Sequence, residues 1–388
     1  MGRYDRVSPL PPPDRSRVFP AWAVLRDLEG RERDADMARR VRLRFMALRP
    51  VLRLVRHGID RVPRESLERQ IDGVREELGQ LSARDPERAR LARFLRRIRH
   101  PTPLTLATAT LDLGEAAEAA EHYHGAEELY FAALQVATAY RLEPEQVIAL
   151  RLLGRICRKA ARSEDARRFC REAAELALRL GDRRQWAIAM DGLGATLRQD
   201  GDAAGALRIH EEILARGRQW SDDEVLAEGL CGLCRAEAET GDPQRAIEYG
   251  WTAVGRAARD EQLDTALSCL GAAFLQVGLY PAAARCHWIV ANRASRLAVR
   301  AQARVDLATV AARAGQADAA RDHLRDAIRL AKKHGHHEIL RHAEALLTVL
   351  EHTPDGSIGA PPTAAPGESA RRIAAEVETF GQALVPAR

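Results

Sequence analysis

The sequence of 388 residues carries a formal net charge of +5 at pH 7 and contains no apolar run long enough to cross a bilayer. Hydrophobic residues make up 46% and charged residues 30%, which excludes a wholly disordered chain. Aromatic residues make up only 5%, and the dominance of Ala, Leu, Arg and Glu favours helices over sheets. The composition therefore predicts an all-α protein, arranged as several domains or as one elongated array.

The positive charge is concentrated at the N-terminal end. Residues 1–100 contain 25 Arg and 15 acidic residues, a net charge of +10, which leaves −5 for residues 101–388. A basic segment of this kind fits a nucleic acid, an anionic lipid surface or an acidic partner, and it equally fits the solvated faces of amphipathic helices. No helix-turn-helix accompanies it, so nucleic-acid binding has no supporting motif.

The first hundred residues divide by composition. Residues 1–20 are rich in Pro and Arg, and we expect them to be disordered. Within the basic region 21–104, three amphipathic stripes follow at 35–59, 64–81 and 86–99. Pro50 should kink or split the first of these helices. Three stripes joined by short turns predict a small helical bundle, and the alternative places the first stripe on an anionic membrane surface.

A repeated pattern begins near residue 105. Leu-Gly pairs recur there, each followed by an alanine twelve residues after the Gly, and the pairs are Leu113-Gly114, Leu153-Gly154, Leu193-Gly194 and Leu270-Gly271. Two further units keep the register with Leu233-Cys234 and Leu307-Ala308, and successive units are 40, 40, 40, 37 and 37 residues apart. Glycines at one equivalent position, where a helix must end and the chain reverse, are Gly201, Gly241, Gly278 and Gly315.

This pattern resembles the tetratricopeptide repeat (TPR) family. A representative unit is Leu193-Gly194-x2-Leu197-x3-Gly201-x4-Ala206-x3-His210-x2-Ile213. The resemblance covers residues 105–335, about six units, and implies a right-handed superhelical α-solenoid of helical hairpins with a concave groove. Residues 336–352 then read as a capping helix, 353–368 as a flexible linker and 369–388 as an amphipathic tail helix. We expect that tail to dock in the groove, to self-associate with another copy, or to stay loose.

The same resemblance implies which side chains face the groove, because the first helix of each unit turns a fixed set of positions inward. In this sequence these positions are Arg151, Arg155, Arg158, Asp191, Arg198, Glu228, Arg235, Ser268, Gln276, Thr309 and Arg313. Arg151, Arg155 and Arg158 stand at i, i+4 and i+7, so they form one surface of a helix, named here the arginine face. Guanidinium groups on a concave surface bind carboxylates, such as a peptide C-terminus or acidic side chains.

Signatures of catalysis are missing from the sequence, which contains no P-loop, dinucleotide-binding glycine motif, nucleophile elbow or H-E-x-x-H. Cys231 and Cys234 form the single C-x-x-C; without further zinc ligands at suitable spacing, we interpret them as packing residues, with the Cys231 thiol partly exposed. Clustered histidines near the last repeat read as an ordinary helix end rather than a metal site: His334, His336, His337 and His342. We therefore predict no enzyme, no catalytic residue, no metal and no cofactor.

These observations predict a non-enzymatic scaffold or adaptor that binds a peptide or protein segment in the groove. The alternative is a regulatory sensor, a signal-peptide receptor or transcription-related regulator that uses the basic N-terminal region, since bacterial peptide-responsive regulators resemble such a solenoid. The N-terminus lacks the apolar stretch of a secretory signal, so we expect the cytoplasm, where the six cysteines stay reduced.

Overall fold

The computed structural model describes most of the repeat region and the segments on either side of it. The described residues are 43, 46–47, 49–51, 53–54, 57–83, 85–119, 121, 123–240, 242–334, 336–353 and 362–384. The predictions for residues 1–20, for most of the first basic stripe and for much of the linker lie outside this range. Every regular element within it is a helix, which confirms the all-α class. None of these helices combines the length and apolar character needed to span a membrane.

Sixteen α-helices have both ends within the described residues. After a short 3-10 helix at Ile59–Arg61, the first two are α1 (Arg64–Gly79) and α2 (Pro86–Arg97). Twelve helices then pair as six hairpins: α3 (Pro103–Ala119) with α4 (Tyr123–Ala139), α5 (Glu143–Lys159) with α6 (Ser163–Arg179), α7 (Arg183–Gln199) with α8 (Ala203–Trp220), α9 (Asp223–Thr240) with α10 (Pro243–Arg256), α11 (Asp260–Gln276) with α12 (Tyr280–Arg293), and α13 (Leu297–Arg313) with α14 (Ala317–His334). The last two helices are α15 (His337–His352) and α16 (Glu368–Leu384).

The chain divides into two compact units, one up to Gly181 and one from Asp182. In the first unit, α1 and α2 share their apolar core with the first hairpin. Ile71 and Leu95, from α1 and α2, share one apolar cluster with Leu106 and Leu129 of the first hairpin. Helix α2 packs on α3, so the apolar core continues from these helices into the first hairpin.

The turns of the α7–α8 and α13–α14 hairpins share one backbone geometry. Gly201 has φ of +84°, and the equivalent Gly315 has φ of +74°, in the left-handed region that ends a helix. Asp202 directly follows the first of these and caps α8, because its Oδ1 accepts the backbone N–H of Gly205 at 2.8 Å. The predicted reversal of the chain at Gly201 and Gly315 is confirmed.

Small residues bring the two helices of a hairpin close together. A Cβ added to Gly114 would lie 2.5 Å from the Tyr130 ring, and one added to Gly194 would lie 2.7 Å from the His210 ring. The large side chain therefore fills the space that the missing Cβ leaves. The alanines predicted at the crossings are completely buried at Ala126, Ala166, Ala206 and Ala283.

The tail helix α16 lies against α10 and α12, which are second helices of their hairpins. Its residues Ile373 and Val377 are buried in the core of the second unit. The Phe380 ring meets Trp251 of α10 edge-on, with ring centroids 5.8 Å apart. Within this unit, the tail packs on second helices rather than on the first helices that carry the predicted groove residues.

This docking gives the tail a measurable contribution to stability. Replacing Ile373 with alanine should lower the free energy of unfolding by about 2 kcal/mol, since it removes buried apolar contacts and leaves a cavity. The matched change Arg372→Ala, at a side chain that is 72% exposed, should alter it by less than about 0.5 kcal/mol. Urea denaturation of the full chain measures both values. Equal stability of the two variants would mean that the tail is loose.

Candidate functional site

The eleven predicted groove residues all lie on the first helices of hairpins and are all half-buried. The three arginines from 151 to 158 belong to α5 in the first unit. The remaining eight belong to α7, α9, α11 and α13 in the second unit. The two sets therefore belong to different compact units.

In the first unit, a buried carboxylate organises the arginine face. Glu118 of α3 accepts a hydrogen bond from the Tyr130 hydroxyl at 2.8 Å and one from Arg155 Nη2 at 2.7 Å. Lys159 Nζ lies 3.5 Å from the other carboxylate oxygen. Burial is the largest single effect and lowers the pKa of Arg155, but the charge of Glu118, its hydrogen bond to Arg155 and the charge of Glu115 act together with Tyr130 to raise that pKa above its usual range. Arg155 is thus committed to an ion pair between neighbouring first helices.

The second unit repeats this arrangement with a different set of residues. Arg235 of α9 pairs with Asp191 of α7, and His210 Nδ1 lies 3.8 Å from the same carboxylate. The neighbouring candidate Arg198 pairs with Glu239 of α9. Charged candidates on adjacent first helices therefore hold those helices to each other, as in the first unit.

His210 is a buried titratable group in this network. It is 2% exposed and faces Asp191, Arg235 and Arg198. Burial lowers the pKa of His210 to about 4, because the effect of the Asp191 carboxylate is smaller than that of desolvation. The imidazole is therefore neutral in the folded protein at neutral pH.

This shift predicts a loss of stability in mild acid. In the unfolded chain His210 takes up a proton near pH 6.5, whereas in the folded chain it takes one up only near pH 4. Between these two pH values protonation favours the unfolded chain, so the free energy of unfolding falls as the pH falls. The expected loss from His210 is about 2 kcal/mol between pH 7.5 and pH 5. His210→Gln should remove this part of the pH dependence in urea titrations at the two pH values. An unchanged slope in the variant would contradict a neutral buried His210.

A cavity of about 570 Å3 lies between the first helices of the second unit. Three of the predicted residues line it: Glu228, Arg235 and Ser268. Sequence reasoning missed three arginines at its edge, which stand near the N-termini of α7, α11 and α13: Arg184, Arg259 and Arg296. The sequence did contain a signal for them, because each of these arginines stands at or next to the start of a first helix.

A second cavity, of about 690 Å3, continues along the same face toward α15. It shares Ser268 and Val299 with the first cavity, and it adds Asp306, Ile339 and His342. The two cavities together form a groove, named here the second-unit groove, that is lined by α7, α9, α11, α13 and α15. Both cavities are lined by apolar side chains beside charged ones.

The other predicted residues lie outside these two cavities. Asp191 and Arg198 are used in the ion pairs described above. Gln276 stands at the end of α11, where its backbone carbonyl accepts the N–H of Thr363 in the segment before the tail helix, at 2.8 Å. The Thr309 hydroxyl donates to the carbonyl of Val305 within α13. Arg313, the last residue of α13, is half-buried.

The structure corrects one expectation about the cysteines. Cys231 was expected to be partly exposed, but it is only 3% exposed, because it lies in the apolar core that α9 shares with α11, which includes Cys269. Cys234 takes the glycine position of its repeat, as predicted, and its Sγ lies close to Gly250. Among the described residues, no group of His, Cys, Asp or Glu has the geometry of a metal site, the histidines near α15 included.

The hairpins, their small-residue crossings and their stacked first helices define a TPR-like helical repeat protein. No family model matches the sequence, and no curated protein matches it. Similar solved structures include the Rap protein complexed with the competence and sporulation factor, at 13% identity over 79% of this chain and 97% of that one, with a TM-score of 0.45. NprR in complex with its cognate peptide NprX matches at 13% identity over 88% and 99%, with a TM-score of 0.44.

A third similar structure comes from Pyrococcus horikoshii. It is a signal transduction ATPase with numerous domains that carries a tetratricopeptide repeat sensor. The match has 11% identity over 88% of this chain and 56% of that one, with a TM-score of 0.39.

Proposed function

We propose that the protein is a non-enzymatic interaction scaffold whose second-unit groove binds a peptide or an extended protein segment. The observation that carries the proposal is the cavity of about 570 Å3 lined by Glu228, Arg235 and Ser268. This volume lies within the range of about 300–1,000 Å3 that is typical of ligand pockets, and the lining combines apolar walls with a few polar groups. A peptide offers side chains and a backbone that match both kinds of surface.

The charges around the cavity suggest the chemistry of the peptide. Arg259 pairs with Glu224 at 2.9 Å, and Arg235 pairs with Asp191. Arg296, in contrast, is exposed and makes no ion pair with any described residue. A carboxylate on the bound segment, from an acidic side chain or a C-terminus, would form an ion pair with the Arg296 guanidinium group. Its neighbour Val299 and the nearby Ile188 would contact an apolar side chain of the same segment.

The test is selection of random peptides displayed on phage against the full chain, followed by affinity measurements with the selected peptides. Ala272 is exposed and lines the cavity, so Ala272→Trp fills the groove without disturbing the core. It should weaken binding at least about tenfold, which corresponds to about 1.4 kcal/mol. Ala215→Trp, at an exposed position of the second helix α8, is the matched control and should leave affinity unchanged.

A second pair of variants tests the charge. Arg296→Glu should weaken the binding of selected peptides that carry a carboxylate, and Arg218→Glu on α8 should not. Selected peptides that bind all four variants like the wild type would place the binding surface elsewhere and contradict the proposal. Failure to select any peptide would contradict it as well.

A further inference from the structure

The cavity between α11, α13 and α15 contains a carboxylate that no described Lys or Arg neutralises. Asp306 of α13 lines this cavity, and its side chain is 30% exposed. Gln302 Nε2 donates a hydrogen bond to its Oδ1 at 3.0 Å. Its Oδ2 lies 3.7 Å from His287 Nδ1, which is too long for a hydrogen bond. The charge of Asp306 therefore meets the cavity without a counter-charge from the described part of the chain.

His287, which lies behind Asp306, does not supply the missing positive charge. It is 3% exposed, and its Nδ1 has no hydrogen-bond partner. Burial lowers the pKa of His287, and the Asp306 carboxylate opposes this effect only in part. The imidazole is therefore neutral at neutral pH. A buried nitrogen without a partner faces the carboxylate from the core, and a cation can approach it from the cavity.

A histidine also faces an aspartate elsewhere in this unit, and there a cation completes the arrangement. His210 Nδ1 lies 3.8 Å from Asp191, and the guanidinium group of Arg235 pairs with that carboxylate. Thr309 stands at the repeat position of Arg235, one residue after the small residue of its unit. It carries no charge, and its hydroxyl donates to a backbone carbonyl of α13. The chain thus neutralises Asp191 itself and leaves Asp306 to a group from outside.

The charges of the second-unit groove differ between its two cavities. Four arginines and three acidic residues line the cavity of about 570 Å3. The cavity of about 690 Å3 has Asp306 and Glu338 beside one arginine, Arg341. Arg296 directly precedes α13, and Asp306 lies about 15 Å further along the helix axis. An extended peptide of about five residues spans that distance.

We propose that Asp306 binds a cationic group of the bound peptide, and that this contact fixes the direction of the peptide in the second-unit groove. The cation is the ammonium group of a lysine or of the N-terminus, or the guanidinium group of an arginine, since each donates charge-assisted hydrogen bonds to a carboxylate. The carboxylate of the peptide then lies toward Arg296. This inference rests on the proposed function and adds the charge that the peptide must carry.

The experiment measures the affinity of the full chain for a peptide selected against it. Two modified forms of that peptide are compared with the parent, one acetylated at the N-terminus and one with norleucine for lysine and citrulline for arginine. One of these should bind the wild type at least about tenfold more weakly. Asp306→Asn should weaken the parent by a similar factor and should not weaken that modified peptide further, because the charge pair is already broken.

Two further variants separate charge from structure. Asp306→Asn keeps an oxygen that can accept from Gln302, so its free energy of unfolding in urea should match that of the wild type. Asp322→Asn, at an exposed carboxylate of the second helix α14, is the matched control and should leave every affinity unchanged. Asp306→Lys should prefer, by at least about tenfold, a peptide in which the cation is replaced by a carboxylate.

The outcomes distinguish this inference from the proposed function. If Asp306→Asn leaves the parent affinity unchanged, or weakens the parent and both modified peptides equally, the inference is overturned, while Ala272→Trp still reports whether the peptide binds in the groove. Wild-type affinity that survives both modifications would overturn it too, since the peptide would then need no cation. Failure to select any peptide would overturn the inference together with the proposed function.

Discussion

Replacing Gly229 with alanine should lower the free energy of unfolding of the second unit by about 3 kcal/mol. Gly229 lies on α9, where that helix crosses α8. A Cβ at this position would lie 2.8 Å from the backbone nitrogen of Leu214 and 3.3 Å from the carbonyl oxygen of His210. Backbone atoms cannot rotate away as a flexible side chain can, so the two helices would have to separate. Urea denaturation followed by circular dichroism measures the loss.

The matched control for this change is a glycine with free space around it. Gly255 lies near the end of α10, and a Cβ added there would meet no atom within 4 Å. Gly255→Ala should raise stability by about 0.5–1 kcal/mol, since alanine loses less conformational entropy in a helix. Equal stability of Gly229→Ala and Gly255→Ala would contradict the close backbone contact between α9 and α8.

The second large effect is expected at Glu118 in the first unit. Glu118→Ala removes the acceptor of the Tyr130 hydroxyl and the partner of Arg155, both of which stay half-buried or buried. Without Glu118, the buried Tyr130 hydroxyl loses its acceptor and the half-buried Arg155 keeps, among the described residues, only the more distant Glu115 as a counter-charge, at a cost of about 3 kcal/mol. The measurement is again the free energy of unfolding in urea.

Glu115 provides the control, because it contacts the same guanidinium group from a more exposed position. Its Oε1 lies 3.6 Å from Arg155 Nη2, and its side chain is 46% exposed. Glu115→Ala should cost about 0.5 kcal/mol or less, as is usual for surface ion pairs. Similar losses at Glu115 and Glu118 would show that burial does not distinguish these carboxylates. The result also bears on the arginine face, since changes at Arg155 will alter stability as well as any binding.

The repeated hairpins could be predicted from the sequence because one packing requirement recurs in each of them. A helix crossing needs a small residue on one side and a filler on the other, and the pairs Gly114–Tyr130 and Gly194–His210 meet that need. The turn at Gly201 needs a left-handed residue. These requirements are local, so their spacing in the chain is visible without a structure.

The partners of the candidate site residues could not be predicted in the same way. Glu118 and Arg155 are 37 residues apart, and Asp191 and Arg235 are 44 apart. Most of the described helices carry at least one acidic residue, and which of these residues meets an arginine depends on how neighbouring hairpins are rotated. The exposure of Cys231 was misjudged for the same reason, because the apolar core that buries it includes residues of the next first helix, such as Cys269.

The tail shows a further limit of sequence reasoning. The spacing of Ile373, Val377 and Phe380 predicts an amphipathic helix, which the structure contains. An apolar stripe does not specify the surface on which it packs, and the groove, another copy of the chain and the second helices were all compatible with it. The choice is made by the edge-on contact with Trp251 and by the apolar surface that α10 and α12 leave open.

The central claim is that the second-unit groove, rather than the face formed by the second helices, binds a peptide. Hydrogen–deuterium exchange of the full chain with and without a selected peptide tests it most directly. The groove account predicts that bound peptide slows exchange in α9, α11 and α13 and leaves α8 and α10 unchanged. Protection confined to α10, α12 and α16 would contradict it, because the peptide would then bind where the tail helix docks.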